Sequence, residues 1–203
     1  MAQRYPIPTQ TVRTEITIKR SRFIATIGYA DTVEAARSFI QQIRDEMPDA
    51  THHVYAFRVG YGSSVNEGLS DDGEPAGTSG KPVMSVIRGA DLGDVVIVVT
   101  RYFGGTKLGM GGLVRAYSGA AKEVLKILSV TEKVKTTPVE IILPYNSYEQ
   151  CKRMLDEYDA QIIEETFEDN VTLHLTVPED CLERLSDRMR EFSVDNAAPR
   201  ILS

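Results

Sequence analysis

The 203-residue sequence predicts an α+β fold divided into two domains. Apolar residues recur at both strand and helix spacing along the chain, and the polar segment "TEKVKTTPV" interrupts this pattern just before an apolar run. Charge changes at the same place: residues 1–137 hold 17 Lys and Arg against 14 Asp and Glu, net +3, whereas residues 138–203 hold 6 against 15, net −9. We therefore predict a first domain over residues 1–137 and a second over residues 138–203.

The first domain mixes strands and helices. Residues 32–47 carry apolar side chains on one helical face, and Asp31 is the expected N-cap. The β-branched run "VVIVVTRYF" predicts a central strand that is covered on both faces. The predicted elements are strands over residues 22–30, 52–60 and 95–103, helices over residues 32–47 and from residue 112 onwards, and a short amphipathic segment opened by Lys81 and Pro82.

The second domain gives a regular series of elements. Two segments of helical periodicity alternate with segments of strand periodicity in the order βαββαβ, which is the ferredoxin-like arrangement. The predicted strands cover residues 139–145, 161–167, 171–177 and 199–202, and the predicted helices cover residues 147–159 and 179–192.

A glycine-rich stretch, "RYFGGTKLGMGGLVRAYSGA", covers residues 101–120, where a strand gives way to a helix. Glycines allow the backbone to approach an anion closely, and the N–H groups of a helix start attract negative charge. The P-loop pattern is absent, and Val114 interrupts the dinucleotide-binding pattern. An anion site and a tight turn with close helix-to-sheet packing both remain open. The candidate anion-binding residues are Lys81, Arg101, Gly104, Gly105, Lys107, Gly111, Gly112 and Arg115.

The segment "SDDGEPAGTSGKP", residues 70–82, is predicted to be a functional loop. Asp71, Asp72 and Glu74 are of the type that binds a hard cation or acts as a general base, although a solvated acidic loop is the commoner outcome. Ser79 and Lys81 raise the possibility of a Ser/Lys dyad, but spacing along the chain is no evidence of the geometry that a dyad needs.

The sequence indicates no metal site and no cofactor. His52 and His53 are adjacent on a predicted strand, so their side chains point to opposite faces; we expect one to be packed or hydrogen-bonded and the other to face the surface. The chain also shows neither a signal peptide nor an apolar window long enough to span a bilayer. We therefore expect a cytoplasmic protein with no membrane partner.

The combination of "RYFGGTKLG", "GGLVRAY", "SDDGEPAGTSGKP" and "KRSRF" resembles the IMPACT/YigZ family, in the form of its bacterial members with an extra C-terminal domain. The resemblance implies a first domain like a ribosomal protein domain and the fourth domain of elongation factor G, and a ferredoxin-like second domain like that factor's fifth. Eukaryotic members are linked to restraint of the general amino-acid-control response through protein contacts. Nucleic-acid or ribosome binding has been inferred for bacterial members from fold and surface charge.

We accordingly expect a non-enzymatic, translation-associated regulator that binds RNA or the ribosome through the cationic glycine-rich surface. Two alternatives remain: a protein-interaction module in a stress response, and an enzyme that places a phosphate-bearing substrate between the acidic loop and the glycine turn. Whether these two segments are neighbours in space does not follow from the sequence.

Overall fold

A computed structural model describes residues 4–62, 64–192 and 200–201, which form two compact units. The first unit comprises residues 5–133, and the second comprises Arg4 and the described residues from Val134 onwards. The predicted boundary after residue 137 lies a few residues beyond this division.

The first unit is built on a five-stranded antiparallel sheet of order β2-β3-β6-β4-β5. As predicted, β6 is central, because its β-branched residues are buried on both faces. A separate two-stranded sheet pairs β1 with β7. The strands are β1 (Arg4–Pro8), β2 (Val12–Ile18), β3 (Ser21–Tyr29), β4 (His52–Tyr61), β5 (Ser64–Ser70), β6 (Val95–Tyr102) and β7 (Val130–Val134).

Helices cover both faces of the large sheet. The helices are α1 (Val33–Glu46), α2 (Gly80–Gly89) and α3 (Met110–Lys126). One face, with Phe23 and Ile97, packs against α2 and α3. The other face, with Ile24 and Val98, packs against α1. This arrangement follows from the alternation of side chains along each strand, which gives β3 and β6 two apolar faces.

The second unit has the predicted βαββαβ order and the sheet order β11-β8-β10-β9. Leu173, Leu175 and Val177 of β10 are buried, whereas His174 and Thr176 on the opposite face are half-buried. The fold class is thus confirmed. The elements are β8 (Thr136–Leu143), α4 (Tyr148–Asp156), β9 (Gln161–Phe167), β10 (Val171–Pro178), α5 (Leu182–Phe192) and β11 (Arg200–Ile201); residues 199 and 202 of the predicted last strand lie outside the described residues.

The starts of α1 and α2 differ from the predictions in how they are capped. The N-cap of α1 is Thr32 rather than Asp31, because the Thr32 hydroxyl accepts the N–H of Ala35. Helix α2 begins at Gly80, so Pro82 is its third residue rather than its first. Within the described part of the chain, no helix has the length and apolar character needed to cross a bilayer.

Candidate functional site

The acidic loop between β5 and α2 is tied down by its own carboxylates. Asp71 accepts hydrogen bonds from the backbone N–H groups of Gly77, Ser79 and Gly80 and from the Ser79 hydroxyl, at 2.6–3.0 Å. Burial raises the pKa of Asp71, but these four hydrogen bonds outweigh it and hold the pKa below its usual value. Asp71 therefore caps α2, and the Ser79 hydroxyl is engaged by Asp71 rather than by Lys81.

Asp72 ties the same loop to α1 and β4. One of its carboxylate oxygens accepts from the Arg44 guanidinium at 2.6 Å, and the other accepts from the backbone N–H of His53 at 2.6 Å. The expectation of a solvated acidic loop is wrong, because the loop carboxylates accept hydrogen bonds from protein groups.

Glu74 reaches furthest into the protein. Its Oε1 accepts from the Arg101 guanidinium at 2.5 Å and from the Tyr117 hydroxyl at 2.7 Å. The side chains of Glu74 and Arg101 are only 4% and 5% exposed. Burial, together with the hydrogen bond to Glu74, raises the pKa of Tyr117, so the phenol stays protonated. The loop, the end of β6 and helix α3 are thus joined at one buried carboxylate oxygen.

Arg101 therefore does not belong to the anion-binding set in which the sequence placed it. Its guanidinium is buried against Glu74 and also lies over the rings of Phe23 and Phe103, at 5.3 and 5.4 Å from their centroids. A charge held in this way neutralises an internal carboxylate and does not face a polyanion.

His52 and His53 do point to different surroundings, but neither faces open solvent. His53 Nδ1 lies 3.1 Å from the Thr100 hydroxyl, and burial lowers the pKa of this histidine. His52 Nδ1 lies 2.7 Å from the Asp72 carbonyl, and its Nε2 lies 3.9 Å from Glu74. The expectation of a surface-facing histidine is wrong for His52, which packs under the acidic loop. Among the described residues, no group of three His, Cys, Asp or Glu side chains converges in a way that could hold a metal ion.

The glycines of the 104–112 turn divide into two kinds. A Cβ on Gly104 would lie 2.0 Å from the carbonyl carbon of Arg20, so this position serves close packing. Gly105 and Gly109 have φ of +82° and +71°, and a Cβ at either position would meet open space. Gly111 is similarly open, whereas Gly112 packs closely against Leu108. The stretch is both a tight turn against the sheet and an exposed backbone segment.

Four exposed cations, Lys19, Arg20, Lys107 and Arg115, border the β2–β3 turn and the glycine turn, and we call this set the cationic edge. Lys19 and Arg20 make the two-residue turn between β2 and β3, and Gly104 packs directly on the backbone of Arg20. The Gly104 N–H also donates to the Ser21 hydroxyl at 3.1 Å. In the part of the chain that the structure describes, no hydrogen bond or ion pair engages the four side chains.

Phe103 adds an exposed aromatic ring next to this turn. It is 47% exposed and directly follows β6, between Tyr102 and Gly104. An aromatic face beside unpaired cations is the combination with which proteins bind single-stranded nucleic acid. Lys19 and Arg20 are missing from the predicted set. The adjacent cations in "KRSRF" were the available signal, but only the structure shows that this turn lies against Gly104.

Lys81 is exposed but belongs to a different feature. It lies in the first turn of α2 and lines a groove between α2 and α3. The predicted cationic set is therefore divided: Lys107 and Arg115 join the cationic edge, Lys81 lies on the groove, and Arg101 is buried.

Comparison with known proteins identifies the family. The Impact N-terminal domain matches residues 19–125, and a domain of unknown function, DUF1949, matches residues 141–195. The chain belongs to the IMPACT family. An IMPACT family member of Haemophilus influenzae is 38% identical over 190 residues, covering 93% of this chain and 92% of the relative. The family member YigZ of Escherichia coli is 37% identical over 188 residues, covering 92% of each chain.

A solved structure shows that the fold of this IMPACT family protein is also similar to that of a known protein. A crystal structure described as that of a hypothetical protein shares 35% of its sequence, with a TM-score of 0.74 over 100% of this chain and 98% of the other. The Impact N-terminal match begins at Lys19 and contains the acidic loop, the glycine turn and all four residues of the cationic edge.

Proposed function

We propose that this protein is a non-enzymatic, translation-associated regulator that binds RNA or the ribosome through the cationic edge. The chain belongs to the IMPACT family. This supports a link to translation, because eukaryotic members of the family are associated with control of translation initiation. Phosphate contacts position a protein on nucleic acid without specifying sequence, so we expect weak sequence preference.

One observation carries the proposal: two turns that pack against each other both carry unpaired cations, and an exposed aromatic ring directly precedes the second of them. Lys19 and Arg20 come from the β2–β3 turn, and Lys107 comes from the turn that follows Phe103. The chain as a whole carries a net charge of −6. A cluster of cations without carboxylate partners stands out against this acidic background, and it favours a local site for a polyanion.

The acidic loop favours a regulator over an enzyme. Asp71 caps a helix, Asp72 binds Arg44, and Glu74 is buried with Arg101 and Tyr117. A general base needs a lone pair that a substrate can reach; protein donors hold these carboxylates in place, and the side chain of Glu74 is only 4% exposed.

The test is fluorescence anisotropy of a short single-stranded RNA, and of ribosomes, with the full chain across a salt series. Replacing Lys107 and Arg115 together by Ala should lower the affinity for every RNA sequence tried. Each lost phosphate contact should also reduce the slope of log K against log salt by about 0.7, which makes about 1.4 for the double variant.

Arg37→Ala with Arg153→Ala is the matched control, because it removes the same charge from exposed positions on α1 and α4. The control should bind like the unmodified chain. Equal affinity in the Lys107/Arg115 variant, or no RNA or ribosome binding at low salt, would overturn the proposal.

A further inference from the structure

A second surface of the first unit is an open groove of about 890 Å³ between α2 and α3. Each helix lines it with one face: Lys81, Ser85 and Gly89 follow one another at four-residue spacing on α2, and Val114, Ser118 and Lys122 do so on α3. Small side chains in the middle of both rows leave room between the two helices. The depression is therefore a consequence of the sequence at these positions.

The floor of the groove is apolar. Pro82, Val86 and Leu125 line it, and Val114 is 39% exposed at its side. The two serine hydroxyls donate to carbonyls of their own helices, Ser85 to Lys81 at 3.0 Å and Ser118 to Val114 at 2.7 Å. Because these donors are already satisfied, the floor offers apolar contact rather than hydrogen bonds.

The walls of the groove are cationic. Lys81, Lys122 and Lys126 are the ionisable residues among the described lining residues, and none of those lining residues is acidic. Lys126 pairs with Glu123 at 2.6 Å, whereas Lys81 on α2 and Lys122 on α3 have no ion pair with any residue that the structure describes. An occupant that combines apolar side chains with carboxylates complements this surface.

We propose that the groove between α2 and α3 docks a short acidic amphipathic helix of a partner protein. Apolar side chains on one face of that helix fill the floor at helical spacing, and flanking carboxylates pair with Lys81 and Lys122. Since α2 has ten residues, the docked segment is about 15 Å long, or two to three turns. None of the described lining residues is an aromatic one on which bases could stack, which favours a peptide over RNA.

The probe is a synthetic helical peptide of about 14 residues, long enough to cover the groove, with leucines on one face and glutamates elsewhere. It is titrated into the isotope-labelled full chain and followed by NMR. A second peptide with lysine in place of every glutamate is the control probe. We expect shifts confined to α2 and α3 with the acidic peptide and much weaker binding of the basic one.

Two variants test the site in different ways. Reversing both wall charges, Lys81→Glu with Lys122→Glu, should weaken the acidic peptide about ten-fold or more and strengthen the basic peptide. Gly89→Leu should fill the groove, since a Cβ there meets nothing within 4 Å. This variant should lose peptide binding while keeping its melting temperature, because leucine favours a helix over glycine.

Arg37→Glu with Arg153→Glu changes the total charge equally at exposed positions that do not line the groove and should bind the acidic peptide normally. Acidic-peptide binding that survives both groove variants would overturn the inference. So would a short single-stranded RNA that displaces the peptide from α2 and α3. RNA binding at the cationic edge with no peptide binding would leave the proposed function standing and reject this inference alone.

Discussion

Lys19 and Arg20 adopt backbone conformations that residues with a Cβ rarely adopt. Their φ values are +45° and +67°, and together they form a two-residue turn between β2 and β3. Such turns favour Asn-Gly, because glycine and asparagine reach the left-handed region at low cost. Two long cationic residues here cost stability, and such strain is typical of positions kept for function.

Replacing this turn by Asn-Gly, Lys19→Asn with Arg20→Gly, should raise stability and weaken RNA binding in the same protein. We expect a gain of about 1 kcal/mol in the free energy of unfolding from relief of the left-handed strain. Urea denaturation followed by circular dichroism measures the gain, and RNA anisotropy measures the loss.

The matched variant Lys19→Ala with Arg20→Ala removes both charges but keeps a Cβ at each position. It should lose RNA affinity without becoming more stable. If the Asn-Gly variant binds RNA as well as the unmodified chain, the turn takes no part in the cationic edge.

Arg101 shows where prediction from local residues ends. Its charge and its place in a glycine-rich stretch are visible in the sequence, but its carboxylate partner, Glu74, lies 27 residues earlier in a different loop. Exposed Arg115 was predictable, because helical periodicity places it opposite Leu113 and Tyr117. Burial of a charge depends on tertiary pairing, which periodicity does not report.

At the scale of the element, strong hydrophobic periodicity was sufficient to predict whether a segment forms a strand or a helix. The runs that became β6, α1 and β10 are long and regular, and their predicted types are confirmed. Strand β2 lies outside the predicted elements, although Val12, Ile16 and Ile18 lie at strand spacing with polar residues between them. The start of α2 was misplaced because its cap is a distant carboxylate, Asp71, rather than the residue next to Pro82.

The acidic loop is held to the sheet by one buried ion pair, that of Glu74 with Arg101. Replacing Glu74 by Leu should leave the Arg101 charge buried without its partner, at a cost of about 3–5 kcal/mol in the free energy of unfolding. Adding Arg101→Met and Tyr117→Phe removes the groups left unpaired, so the triple variant should recover much of that loss. Urea denaturation of the full chain measures both.

Glu123→Leu is the control, because Glu123 pairs with exposed Lys126 on the surface of α3. It should cost less than about 1 kcal/mol. A Glu74→Leu cost no larger than that of the control would show that the buried carboxylate is not what holds the loop.

At the scale of the whole first unit, Asp94 joins the small sheet to the large one. Tyr5 of β1 donates to its carboxylate at 2.9 Å, and Lys133 of β7 donates at 2.6 Å. Burial and the hydrogen bond to Asp94 raise the pKa of Tyr5 to about 12. Burial opposes the charge of Lys133, but hydrogen bonds to Asp94 and Tyr29 outweigh it and raise the pKa of this lysine.

These shifts predict a loss of stability in alkali. Unfolded tyrosine and lysine lose their protons near pH 10, whereas folded Tyr5 and Lys133 hold theirs to higher pH. The stability that they contribute is therefore fully present below about pH 10 and falls as the pH rises through the folded pKa values. Thermal melting by circular dichroism between pH 8 and 12 should show this decline.

The variant Tyr5→Phe with Lys133→Met should decline less steeply over the same range, because two of the responsible groups are gone. Tyr117, whose pKa is also raised by burial, continues to contribute. Identical alkaline decline in the variant and the unmodified chain would assign the effect to other groups.

The strand order of the large sheet also has a consequence during synthesis. Strand β6 is the last of the five along the chain, yet it lies between the β2–β3 hairpin and the β4–β5 hairpin. Each hairpin can pair locally as it leaves the ribosome, but both keep an open edge until residue 102 has emerged. The two hairpins therefore cannot be joined into one sheet before β6 has been synthesised.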